Sequence, residues 1–465
     1  MVSCVPAERQ LQHARTEFYA FFHFGVNTFT DREWGDGTED PAIFDPTDFD
    51  AGQWIDTAAA AGMKGVILTA KHHDGFCLWP SQYTEHSVKN SPFRNGSGDV
   101  VREVADACRE RGMKFGIYLS PWDRHEPTYG QGKAYDDYFC NQLTELLTNY
   151  GELFSVWFDG ACGEGPNGKV QSYDWDRYYA VIRKYQPNAC IAISGPDVRW
   201  CGNEAGETRE SEWSVLPTSY YTPAEVAAAS QQAEGDAFRP KTGDLENRDF
   251  GGREYLKGAR SLHWYPSETD TSIRPGWFYH ASENNQVKSA DTLIDLWYRT
   301  VGGNSSLLLN IPPDRRGRIT RFDVRSLKGL GNYLKKTFAV NLAETASVTA
   351  DKTDGAHTAD ALATDSYDAY YKAPDGETVA AVTFSLAEPS KVSHVVIKEH
   401  IPMSQRVERF AVDVKLPDGT WKKVAEGTSV GYQKVVKFDP VQTDAIRVRI
   451  LDSRVCPVLS FIGIY

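Results

Sequence analysis

Short apolar runs and segments of helical period alternate along the first two thirds of the chain. "FYAFFHFG" (18–25), "KGVILTA" (64–70), "KFGIYLS" (114–120), "LFSVWFDG" (153–160) and "ACIAISG" (189–195) each read as a strand buried on both faces, and "LLLNIPP" (307–313) reads as a late one. Between them, "FDAGQWIDTAAAAGM" (49–63), "DVVREVADACRERGM" (99–113), "YDDYFCNQLTELLTNYG" (135–151), "YDWDRYYAVIRKYQP" (173–187) and "ADTLIDLWYRTVG" (290–302) carry the helical pattern. Near-continuous apolar strands separated by helices predict a parallel sheet. Gly62–Met63–Lys64 and Gly112–Met113–Lys114 repeat one helix-to-strand turn, with the glycine ending the helix. The repetition predicts an α/β fold of TIM type, a (β/α)8-like barrel. A doubly wound sheet is the competing arrangement, but no G-x-G-x-x-G follows the first strand. Residues 196–290 are rich in Gly, Pro and charge, and their strands are not legible.

Beyond about residue 345 the period changes to two. "VAAVTFSLAEPSKVSHVVIKEHI", "RFAVDVKLPDGTWKKVAEGT", "KVVKFDPVQTDAIRVRILDS" and "VLSFIGIY" alternate and carry turn signals such as Pro417–Asp418–Gly419. They predict a C-terminal antiparallel β-sandwich. The expected domains are 1–338 (barrel) and 339–465 (sandwich), joined near "AVNLAETASVTADK" (339–352).

The 465 residues suffice for a large core, and the net charge of −13 is interspersed rather than blocked. That balance disfavours a nucleic-acid partner, which needs a basic face, and an anionic membrane surface. No apolar run is long enough to predict membrane insertion. With 12 Trp and 23 Tyr, the composition suits a neutral ligand held by aromatic stacking. The eight cysteines are scattered without a C-x-x-C pair, so free thiols are expected rather than disulfides. The start, "MVSCVPAERQ", has no signal-peptide h-region and fits either a cytosolic protein or a mature exported one behind a new Met.

In a barrel the carboxyl ends of the strands converge on the active site. This chain places polar and aromatic residues there repeatedly: His23 with Glu33 and Trp34; His72 and His73 with Trp79; Tyr118 and Ser120 with Trp122 and Asp123; Asp159; then Asp197, Arg199, Trp200 and Glu204; and Trp277 in a later loop. Asp159 closes an apolar strand just before Gly160, where an unpaired carboxylate would be too costly as core filler. Helix capping or an Arg partner is its bland role; a nucleophile or metal ligand is its functional one. Glycosidic cleavage needs two carboxyls in different protonation states. Asp159 supplies one, and Glu204, Glu207, Glu210 and Glu212 all remain candidates for the other. A metal held by His23, His72, His73 and Asp159 is the rival chemistry. It is disfavoured because adjacent residues of a strand point to opposite faces, so an H-H pair meets one ligand only where the strand has ended. Neutral imidazoles bonding vicinal hydroxyls account better for the set.

"FFHFGVNTFTDREWG", "TAKHHDGFCLWPS", "GIYLSPWDRHEP", "VWFDGACGEGPNG" and "GPDVRWCGNEAGETRESEW" together resemble glycoside hydrolase family 29, the retaining α-L-fucosidases, over roughly residues 15–335. The resemblance implies a barrel with a C-terminal sandwich, an exo-acting double-displacement mechanism, a fucosylated oligosaccharide or glycoconjugate as substrate, and no metal or other cofactor. By motif match the WFDG aspartate, Asp159, is the nucleophile. His23, Glu33, Trp34, His72, His73 and Tyr118 hold the fucose, with Trp277 against its methyl group; Trp79 and Arg199 complete the expected binding set. The acid/base follows the GPDxRWxGNExG segment and is Glu204. That segment resembles the branch acting on α1,3/4-linked fucose on branched N-acetylglucosamine, as in Lewis-type glycans. A broader linkage range and a fucose-binding protein without catalysis are the alternatives. The family's habitat in glycan-degrading bacteria implies export to the periplasm or beyond. The sandwich is similar to discoidin-like carbohydrate-binding modules, and a supporting role is favoured for it over sugar binding.

Overall fold

The structure, a computed structural model, describes residues 1–218 and 249–465. The expected barrel strands form as β1 (Phe18–Phe22), β2 (Gly65–Lys71), β3 (Lys114–Leu119), β4 (Ser155–Phe158) and β5 (Cys190–Ile193). The illegible region supplies β6 (Arg199–Trp200), the hairpin strands β7 (Val215–Pro217) and β8 (Leu262–Trp264), and β9 (Ser267–Ser272); β10 (Ser305–Asn310) follows. Eight of these make one sheet in the order β5-β4-β3-β2-β1-β10-β9-β6, with every pairing parallel. A parallel bridge from Ala192 to Val198 links its two ends, so the sheet is a nearly closed barrel.

The two repeated turns are the same in structure. Gly62 and Gly112 both take positive φ, and Met63 N–H and Met113 N–H reach back to the carbonyls of Ala58 and Cys108. This is the left-handed glycine stop that satisfies the last helical carbonyls. Lys64 and Lys114 then bond the preceding strand, at the carbonyls of Phe18 and Lys64, and set the register. Asp50, Asp99, Asp174 and Ser289 cap the helices that begin after them. The helix Arg321–Thr337, which the sequence pattern did not single out, packs beside Ala51–Ala60 and Ala290–Arg299.

Alternation on the strands divides the core. Phe18, Ala20 and Phe22 of β1, Val66 and Leu68 of β2, and Val156 and Phe158 of β4 face the helices. Tyr19, Phe21, Ile67, Tyr118, Trp157, Trp200 and Leu308 fill the barrel interior. The same alternation carries His23, Ser120, Asp159 and Asn310 inward as β1, β3, β4 and β10 end.

The C-terminal strands β11 (Ser347–Ala350), β12 (Tyr371–Lys372), β13 (Ala380–Glu399), β14 (Val407–Lys415), β15 (Trp421–Gly427), β16 (Lys434–Ser453) and β17 (Val458–Ile464) pair antiparallel around a separate apolar core. β13 and β16 are long, and their pairing breaks register between Ser385 and Ser390 and again between Val392 and His394. This domain bonds directly to the barrel: Val435 N–H to Gly302 O, Tyr432 hydroxyl to Glu17, and Gln405 to both Ser214 and Glu212. All eight cysteines are free.

Candidate active site

β2 explains how two neighbouring histidines reach one pocket. Its pairing with β3 shifts register between Thr69 and Lys71, and the strand ends at Lys71. Lys71 turns outward and is fully buried on Asp123 (2.8 Å) and Gln142 (3.0 Å). A turn follows, closed by Gly75 N–H to His72 O at 3.0 Å. Gly75 has φ +80°, and a Cβ there would lie 2.5 Å from Asp123 Oδ1, so only glycine fits. With the strand already ended, the His72 and His73 rings converge, their centroids 4.0 Å apart.

The remaining rings assemble around them. His23 lies 5.7 Å from His72 and 5.1 Å from Trp277; Phe278 packs edge-on against His72 at 5.0 Å. Trp34 and Trp122 pack against His73 at 5.8 and 5.0 Å. Glu33 holds the loop that carries Trp277. It accepts from the backbone N–H of Trp277 (2.8 Å) and of Phe278 (3.1 Å) and from His280 Nε2 (2.7 Å).

Asp159 follows β4 with its side chain 21% exposed. Its Oδ1 accepts from Ala161 N–H at 2.7 Å and its Oδ2 from the Tyr118 hydroxyl at 3.1 Å. Burial pushes the carboxyl up; the N–H groups of Ala161 and Gly160 and the Tyr118 hydroxyl work against that rise. Tyr118 is itself stacked on Trp157 at 5.2 Å. His73 Nε2 is 3.9 Å from Asp159 Oδ2, but burial holds His73 down to about 3, so the two are not an ion pair. His23 is held at about 3 for the same reason, and His72 is lowered as well. The pocket therefore presents neutral imidazoles to a partly exposed carboxylate.

Two expected binding residues lie elsewhere. Trp79 is buried in the layer between barrel and helices, with its Nε1 donating to Glu145 at 2.8 Å; it serves packing. Arg199 points away from the barrel interior, which Trp200 occupies on the same short strand, and forms a buried ion pair with Glu212. Arg199 is thus not beside Asp159, and hydrogen bonds rather than that guanidinium support the carboxylate. The Arg199 pair, with Arg209 N–H at 3.0 Å, also locks Glu212 away from the pocket. Glu210 is exposed, and its carbonyl receives Thr428 and Lys434 from the C-terminal domain. Glu204 sits in a loop braced by Asn203, whose Oδ1 accepts from Ala205 and Glu207 N–H. Its charge bears on buried Asp270 of β9 and raises that carboxyl, after burial itself.

Sequence reasoning missed three inward polar residues. Glu268 accepts from Trp157 Nε1 (2.7 Å) and the Tyr19 hydroxyl, and Asp270 accepts from Trp200 Nε1 (2.7 Å). Asn310 bonds His23 Nδ1 at 2.9 Å. Asn310 carried the signal that marked Asp159, a polar residue closing an apolar run. Glu268 and Asp270 carried none, because β9 has no apolar run. Among the described residues no group of three or more His, Cys, Asp or Glu side chains is arranged to hold a metal ion.

Comparison with known proteins agrees with this geometry. Residues 7–338 match the α-L-fucosidase family model, and residues 344–459 match the F5/8 type C domain. A putative α-L-fucosidase of Oryza sativa is 40% identical over 467 residues, covering 99% of this chain and 85% of that protein. A crystal structure of a putative α-L-fucosidase from Bacteroides ovatus superposes with TM-score 0.85 at 46% identity, covering 99% of this chain and 74% of that one. A family 29 fucosidase of Ruminococcus gnavus, solved in complex with fucose, gives TM-score 0.84 at 31% identity and covers 99% and 95% of the two chains. A barrel whose strand ends gather three histidines, aromatic rings and a partly exposed aspartate, on a chain matched along nearly its whole length, belongs to the α-L-fucosidases of glycoside hydrolase family 29, which act on terminal fucose.

Proposed function

We propose that this α-L-fucosidase is exo-acting and works by double displacement, with Asp159 as nucleophile and Glu204 as acid/base. In the first step Asp159 attacks the anomeric carbon while protonated Glu204 donates its proton to the leaving oxygen. In the second, Glu204 takes a proton from water, which releases fucose with retention. The observation that carries the reading is the setting of Asp159: a partly exposed carboxylate at a strand end, steadied by Tyr118 and Ala161 and facing His73. Glu204 is supported by its intact GNEAG segment and by the diversion of the Glu212 carboxylate to Arg199 and Arg209. His23, His72, His73, Glu33, Trp34 and Trp277 then frame the fucosyl unit.

The substrate we propose is fucose α1,3- or α1,4-linked to N-acetylglucosamine in branched, Lewis-type glycans, and we propose that the enzyme meets it as an exported protein. The linkage rests on the segment "GPDVRWCGNEAGE". Asp159→Ala is expected to lower kcat by several orders of magnitude. Added azide should restore turnover to Asp159→Ala and Glu204→Ala with opposite anomeric products. A Glu204→Ala variant as active as wild type on a Lewis trisaccharide would overturn the acid/base assignment. Product analysis on α1,2-, α1,3-, α1,4- and α1,6-fucosylated oligosaccharides decides the linkage.

A further inference from the structure

Counting protons around two of the pocket histidines fixes which way their hydrogen bonds run. Ser120 Oγ lies 2.6 Å from the Trp122 carbonyl oxygen and 2.7 Å from His73 Nδ1. Two oxygens that close need a proton between them, and a peptide carbonyl has none to give. The single Ser120 hydroxyl proton therefore points at Trp122. Only lone pairs remain for His73, so His73 carries its proton on Nδ1 and leaves Nε2 bare.

His23 reaches the same state by another route. The Asn310 amide group lies 2.7 Å from the Trp277 carbonyl, which only accepts, so its NH2 faces that way. Its oxygen then faces the His23 backbone N–H (3.3 Å), which only donates, and His23 Nδ1 (2.9 Å). Nδ1 must donate, and Nε2 is bare. Neither Nε2 bonds a described residue, and neither is sealed from the pocket. Both rings are neutral, since burial holds each down to about 3. His73 Nε2 also faces Asp159 Oδ2 across 3.9 Å, so two acceptors confront each other with no donor between them.

We infer that His23 and His73 act on the ligand as hydrogen-bond acceptors through Nε2, that two ligand hydroxyls must donate to them, and that Asn310 and Ser120 are positioning residues which fix this polarity. The inference rests on the fucosidase reading for the identity of the sugar. For specificity this means that a fluorine at either position, no larger than the hydroxyl it replaces, cannot donate and is bound more weakly.

The full chain labelled with [15N]histidine tests the polarity, with His23→Gln and His73→Gln used to assign the signals. Around neutral pH both Nε2 atoms should show the shift of unprotonated nitrogen and both Nδ1 atoms that of N–H. A protonated Nε2 on either ring overturns the inference. In Ser120→Ala, the His73 signals should move towards the Nε2–H form while those of His23 stay in place, and KM should rise more than kcat falls. Unmoved His73 signals would deny Ser120 its role. Among the 2-, 3- and 4-deoxyfluoro analogues of L-fucose, at least two should bind at least about tenfold more weakly than fucose. Analogues that all bind as fucose does would overturn the ligand half. Failure of the wild-type protein to bind fucose at all, with both Nε2 atoms bare, would instead strike the fucosidase reading.

Discussion

β2 and β9 belong to one barrel and are buried along their whole lengths, yet they meet burial by opposite means. β2, GVILTAK, removes apolar side chains from water on both faces and carries one buried charge at its end, Lys71, matched by Asp123. β9, SETDTS, is polar throughout. Its inward carboxylates take N–H and O–H donors from Tyr19, Trp157 and Trp200, and outward Thr269 meets Ser305 at 2.8 Å. Apolar burial is non-directional and tolerates a neighbour of similar size. Polar burial depends on each partner being present. On β9 burial raises both carboxyls, Glu268 to about 7, and the tryptophan and tyrosine donors work against that rise.

The contrast can be broken most forcefully at the end of β2. Lys71→Met should cost about 3–5 kcal/mol, because Asp123 is left buried without its cation; denaturant unfolding measures it. A loss under 1 kcal/mol would mean that water reaches Asp123. On β9, Glu268→Gln replaces one acceptor oxygen with a donor facing Trp157 or Tyr19 and should cost about 1–3 kcal/mol. Within the apolar part of β2, Ile67→Val should cost about 0.5–1.5 kcal/mol. An Ile67 loss exceeding that of Glu268→Gln would reverse the comparison.

The mildest test concerns pH. His280, between Glu33 and Asp31 with Glu283 nearby, is raised from 6.5 to about 9. A raised histidine contributes fully below its unfolded pKa, and that contribution is lost as pH rises through the folded value. The loop bearing Trp277 should therefore loosen as pH passes about 9, seen as a severalfold rise in KM. His280→Gln should show the raised KM already at neutral pH, without the further rise. A KM that stays flat through pH 9–10 in wild type would remove His280 from the anchoring of that loop.

The same contrast explains what was legible. Strands that bury apolar side chains announce themselves, and so do the polar residues closing them: His23, His72, His73, Tyr118 and Asp159 all stand at the ends of readable strands. β6 is two residues long and β9 has no apolar period, so neither could be seen before its neighbours were in place. Arg199 and Trp79 looked like binding residues because type and proximity to a strand end are visible in sequence, while the direction of a side chain is not. Arg199 turns outward because Trp200 takes the inward position, and Trp79 because Glu145 on a helix receives its N–H.

The sequence by itself determined the repeating helix-to-strand turn, the identity of the readable strands and the set of groups at their ends, because burial period and glycine conformation are local properties. Only the tertiary structure decided which of those groups share a pocket. The turn after β2 brings two adjacent histidines together, and Asn310 and Ser120, far apart in sequence from their partners but on neighbouring strands, set the protons of His23 and His73. Hydrogen-bond direction depends on both partners, and residues 287 apart become partners only when the barrel closes.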